Sequence, residues 1–85
     1  MRTFEYIIKD ELGIHARPAG LLVKLAKETA SIINIEKNGK RVDATKLFAI
    51  MGLGVVKGDV IRITIEDGNE EESEKRIKEF LENNL

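Results

Sequence analysis

The dipeptide Asn38-Gly39 constrains this chain more than any other feature, because asparagine and glycine are the residues that best tolerate the positive φ of a two-residue hairpin turn. The run from Ser31 to Lys37 leads into it with Ile33 and Ile35 two apart, and a further run through Val42 leads out. These two segments are predicted to be strands, and a hairpin makes them antiparallel neighbours.

The rest of the pattern must be compatible with that hairpin. Phe4, Tyr6 and Ile8 alternate with Thr3, Glu5 and Lys9, the period of a half-buried strand, with Ile7 an apolar exception on the outer face. From just after His15 to about Glu28 the period changes. Ala19, Leu22, Val23 and Ala26 fall on one face of a helix. Thr45 is placed to cap a short helix holding Leu47, Phe48, Ile50 and Met51, which Gly52 and Gly54 should end. Lys57-Gly58-Asp59 turns the chain into a strand from Val60 to Glu66, with Ile61, Ile63 and Ile65 facing one way. Asn69 and Glu72 have the spacing of a capping box, and Ile77, Phe80 and Leu81 form the buried stripe of a last helix. The order βαββαβα predicts an α+β fold with helices on one face of a small antiparallel sheet. No repeat or linker interrupts it, so residues 1-85 are expected to form one domain.

Composition narrows the chemistry. With no cysteine and a single histidine, neither a disulfide framework nor a zinc site is available, and no metal or other cofactor is expected. The N-terminal residues run straight into the strand pattern without a signal region, and no apolar run approaches membrane-spanning length. A cytoplasmic location without membrane insertion is therefore expected. A net charge of −1 gives no bulk attraction to nucleic acid. The charge is unevenly spread, however. Arg17, Lys24 and Lys27 share one predicted helix face with Gly20 and Leu21, opposite the buried stripe. Glu66, Asp67, Glu70, Glu71, Glu72 and Glu74 gather around the start of the last helix, where they complement its dipole and aid solubility.

Gly13-Ile14-His15-Ala16-Arg17-Pro18-Ala19 carries the candidate chemistry. It puts the lone histidine at the mouth of a helix, where unpaired backbone N–H groups point outward and the dipole is positive. Arg17 adds a full positive charge within one turn. Pro18 marks a helix start and not a break, since a proline in the first turn removes an N–H that has no intrahelical partner. A neutral imidazole is nucleophilic at neutral pH, so such a site suits a phosphate carried on the ring.

The same seven residues resemble the active site of the HPr family, the phosphocarrier proteins of the bacterial phosphoenolpyruvate:sugar phosphotransferase system. The similarity continues through Asn38-Gly39-Lys40, Leu47-Phe48-Ala49-Ile50-Met51-Gly52-Leu53-Gly54 and Lys57-Gly58, and so spans nearly the whole chain. It implies an open-faced β-sandwich with a four-stranded antiparallel sheet in the order 1-4-2-3, covered on one face by three helices. It also implies a stoichiometric carrier and not an enzyme. His15 would take a phosphoryl group on Nδ1 from phospho-enzyme I, itself charged by phosphoenolpyruvate, and pass it to the sugar-specific A component of a permease. Ala16 and Arg17 would offer backbone N–H groups to the phosphate, the Arg17 guanidinium would stabilise its charge, and Pro18 would fix the helix start. The docking surface would join Gly20, Leu21, Lys24 and Lys27 to Leu47, Phe48 and Met51. Nothing demands more than a monomer.

Two positions depart from the family pattern. Lys46 stands where HPr proteins carry the serine that is phosphorylated in those regulated by a kinase. That regulation is expected to be absent, Thr45 presenting its hydroxyl elsewhere. Leu12 replaces a residue that is often small and polar beside the active loop. Two other functions compete. One is a regulatory HPr-like binding module without relay duty, although relatives devoted to regulation tend to lose the histidine that is present here. The other is a small domain binding a nucleotide or RNA through its sheet, for which Phe4, Tyr6, Phe48 and Phe80 do not supply the interleaved aromatics required.

Overall fold

The structure, a computed structural model, describes residues 1–85. Seven elements follow in order: β1 (Arg2–Ile7), α1 (Ala16–Glu28), β2 (Ile32–Lys37), β3 (Lys40–Asp43), α2 (Leu47–Met51), β4 (Val60–Glu66) and α3 (Glu70–Asn84). The strands form one antiparallel sheet in the order β1-β4-β2-β3. The order implied by the family resemblance is the one found.

The β2–β3 hairpin turns on Asn38 at φ 51° and Gly39 at φ 83°, the conformation that matches the right-handed twist of the flanking strands. Ile33 and Ile35 of β2 and Ile61, Ile63 and Ile65 of β4 point to the helix-covered face and are buried. They meet Ala19, Leu22 and Ala26 from α1 and Ile77 and Leu81 from α3. β-branched side chains suit the sheet, while alanines on α1 let that helix lie close to it. Tyr6 and Phe80, only partly buried, pack at the margin of this core. The Tyr6 hydroxyl donates to the Leu81 carbonyl (3.0 Å), joining β1 to α3, and burial first and Glu82 second push its pKa up.

Two predicted caps differ in detail. Thr45 does not cap α2. Lys46 occupies the cap position, and no side chain satisfies the first turn. The Thr45 amide and hydroxyl instead both donate to Asp43 Oδ1, at 2.8 and 2.7 Å, because an aspartate two residues upstream competes better for them. At the other end Gly52 is still right-handed (φ −66°), and Gly54 takes the positive φ. For α3, Asn69 Oδ1 accepts from the Glu72 N–H as expected (3.2 Å), but Glu72 reaches back to the Asn69 side-chain amide (3.3 Å).

Candidate functional site

His15 immediately precedes α1, and its extended backbone (φ −99°, ψ −178°) makes it the residue before the first helical turn. Its imidazole caps nothing and is 40% exposed, so the ring is free to meet another molecule. Three backbone positions follow before the helical ladder closes with the Ala19 N–H to the His15 carbonyl (3.0 Å). Pro18 has no N–H. The Ala16 and Arg17 N–H groups have no acceptor anywhere in the chain. A helix start ordinarily leaves such donors over, and here two are left unpaired beside a histidine ring.

The loop before α1 is held from several sides. Gly13 has φ 66°, and a β-carbon there would lie 2.3 Å from the Val55 carbonyl oxygen, so only glycine fits. The Ile14 N–H donates to that same Val55 carbonyl (3.1 Å), and the Gly13 N–H donates to the Asp10 carbonyl (3.0 Å). The 54–58 segment is braced in turn. Lys37 Nζ donates to the Gly54 carbonyl (2.8 Å) and pairs with Asp59 (2.7 Å), and Asp59 also accepts the Val56 N–H (2.8 Å). The Lys37 ammonium and then the Val56 N–H hold the Asp59 carboxyl below its usual pKa. At the opposite edge, the Leu85 carbonyl at the end of α3 accepts from the Lys9 and Asp10 amides, and the Leu85 side chain is buried.

His15, Arg17, Pro18 and Leu21 line an open cleft closed on the far side by Asn83 and Asn84. Neither asparagine is marked by the sequence pattern, because both act through the return of α3 across the sheet. Asp10 is likewise unmarked. Its Oδ2 lies 3.7 Å from His15 Nε2. The only local clue is an aspartate three residues before a glycine, the spacing of a β-turn.

Along α1 and α2 the structure leaves charge and apolar surface unpaired. Arg17, Lys24, Lys27 and Lys46 make no ion pair, whereas the cations of the sheet and α3 mostly do. Phe48 is 84% exposed, Leu21 and Met51 are also exposed, and Leu47 turns half inward onto the core. Gly20 is partly exposed, with open space where a β-carbon would be. α1 and α2, which carry most of these side chains, pack on each other. No group of three histidine, aspartate or glutamate side chains converges to hold a metal, and no helix is long and apolar enough to cross a membrane.

The chain is an open-faced α+β sandwich with a half-exposed histidine at the start of its first helix. The family profile described as "PTS HPr component phosphorylation site" matches residues 2–83. The crystal structure of HPr-C-His from Thermoanaerobacter tengcongensis superposes with a TM-score of 0.91 at 39% identity, over 96% of this chain and 92% of that one. The phosphocarrier protein HPr from Bacillus anthracis gives 0.87 at 32% identity, over 94% and 95%. The catabolite repression protein Crh of Bacillus subtilis, crystallised as a domain-swapped dimer, gives 0.77 at 26%, over 94% and 92%. The chain belongs to the HPr family of phosphotransferase-system phosphocarriers, whose members are carriers and not enzymes.

Proposed function

We propose that this chain is a stoichiometric phosphoryl relay in which His15 takes the group from phospho-enzyme I and hands it to the sugar-specific A component of a permease. The observation that carries the reading is the pair of unpaired amides, Ala16 and Arg17, beside an accessible imidazole. A phosphate on Nδ1 would accept hydrogen bonds from those two amides and lie near the unpaired Arg17 guanidinium. Such donors stabilise the negative charge of a phosphate on the ring. Pro18 removes the one first-turn amide that would otherwise be a third donor. In this reading Lys24, Lys27 and the exposed Leu21, Phe48 and Met51, with Gly20 and Leu47 between them, form the docking surface. An apolar centre with a basic rim suits an acidic partner. The working form is a monomer in the cytoplasm.

Incubation with phosphoenolpyruvate and enzyme I tests this directly. Acid-labile, alkali-stable phosphate on the wild type and none on His15→Ala is the expected result. Label that persists in the variant refutes the assignment. The likeness to Crh supports a second reading, a regulatory module that binds partners without relaying phosphate. That reading predicts no label on the wild type.

A further inference from the structure

His15 has a neighbour that the relay, as described, does not use. Asp10 Oδ2 stands 3.7 Å from Nε2, and Asp10 makes no other ionic contact. Its position is fixed three times over. The Asp10 N–H donates to the Leu85 carbonyl (2.8 Å), its carbonyl accepts from Gly13 (3.0 Å), and Oδ2 itself accepts the Leu12 N–H (3.0 Å). That last bond leaves lone pairs of the same oxygen for the imidazole. A separation of 3.7 Å is beyond hydrogen-bond length, but contacts of this kind shorten when charge develops on the ring.

We propose that Asp10 is a positioning residue for His15: it keeps the ring proton on Nε2, presents the Nδ1 lone pair for phosphoryl transfer, and balances the positive ring that transfer creates. The proposal rests on the relay reading and adds to it the residue that fixes the ring's tautomer. The step balances without a base. The Nδ1 lone pair forms the new N–P bond while the bond from phosphorus to the donor atom breaks, its electron pair staying with the donor. The Nε2 proton stays, so a neutral ring becomes a phosphoimidazolium facing a carboxylate. On onward transfer the N–P electrons return to Nδ1 and the ring is neutral again. A neutral imidazole is the better leaving group, so a partner for the Nε2 proton keeps the phosphoryl mobile.

Asp10→Asn tests this, because the amide oxygen can still accept the Leu12 N–H while the charge is gone. In ¹⁵N-labelled protein with the ring neutral, imidazole nitrogen shifts should put the proton on Nε2 in the wild type. The ratio of the two tautomers should fall about threefold in the variant, the scale of one half-exposed charge contact. Charged with phosphoenolpyruvate and enzyme I, the variant should lose its phosphate at neutral pH about threefold more slowly. A wild-type ring protonated mainly on Nδ1 overturns the proposal, and so does an unchanged tautomer ratio in a folded variant. A wild-type ring protonated on Nδ1 decides against Asp10 even where the variant does not fold. A wild type that takes no phosphate defeats the relay reading, while the tautomer comparison still judges Asp10.

Discussion

Replacing Gly13 by alanine should cost far more than a methyl group ordinarily does. At φ 66° an L-residue pays about 1–2 kcal/mol for its β-carbon. The new atom would also sit 2.3 Å from the Val55 oxygen and 2.7 Å from Val56 Cα, where ordinary contact needs 3.4 Å. Both obstacles are backbone, so neither can swing aside as a side chain would. The two segments must part by about 1 Å, and the Ile14 N–H to Val55 bond between them is the first casualty. Leaving that amide unpaired in a buried place adds about 1–3 kcal/mol. The expected loss is therefore about 3 kcal/mol, or a fall in Tm of roughly 12–24 °C for a domain of this size.

Urea unfolding followed by circular dichroism measures the loss, with Gly20→Ala as the internal control. A β-carbon at Gly20 meets nothing within 4 Å, and the position is helical. That variant should gain about 0.5–1 kcal/mol. Gly13→Ala should also be charged more slowly by enzyme I, because His15 hangs from the loop that has moved. Stability within about 0.5 kcal/mol of wild type would show that the loop yields freely and that the close approach at Val55 has no structural role.

Phe48→Ala should leave stability within about 0.5 kcal/mol of wild type, since the ring is 84% exposed. It should nonetheless slow phosphoryl transfer from enzyme I about tenfold, read in stopped reactions at limiting carrier, as expected of an exposed aromatic anchor. Asp59 supplies the pH dependence. Its folded pKa lies below the unfolded value, chiefly through the Lys37 ammonium, so its contribution is full above the unfolded pKa of about 4 and is lost as pH falls through the folded value. Asp59→Asn should consequently lower the urea midpoint at neutral pH and flatten its decline below about pH 4. An acid limb as steep as that of the wild type would exonerate the pair. Incubation with the serine kinase of the family and ATP should leave no stoichiometric phosphate. Lys46 has no hydroxyl, and the Thr45 hydroxyl is engaged with Asp43. Phosphopeptide mapping that finds a fully modified Thr45 would refute this.

Local chemistry announces itself in sequence where neighbours in the chain decide the outcome. Asn38-Gly39 needed only its own dihedral freedom to make a hairpin, and Ile61, Ile63 and Ile65 needed only alternation to find the core. Strand order did not follow from such patterns, because β4 lies between β1 and β2 through contacts that no local period encodes. Thr45 shows how one nearby rival defeats a sound local rule: Asp43 offers a charged acceptor, and the cap is forfeited. His15, Ala16 and Arg17 were legible as a candidate site because a helix start is a local event. Asp10, Asn83 and Asn84 were not, since they approach His15 only after the loop folds back and α3 returns across the sheet.

That division explains how so small a domain holds an accessible histidine in place. The groups proposed to touch phosphate are the ones the fold leaves unpaired: two amides that the helical ladder does not reach, and a guanidinium without a carboxylate. Unpaired donors at a surface cost little because water serves them until a ligand arrives. Rigidity comes from elsewhere, from Val55 beneath Gly13, from Lys37 and Asp59 behind Val55, and from the Leu85 carbonyl on the Asp10 amide. Substitutions in the supports should therefore lower stability and transfer together, whereas Arg17→Ala, on an exposed and unpaired side chain, should lower transfer alone. A variant of Val55 or Lys37 that loses transfer at full stability would break this separation.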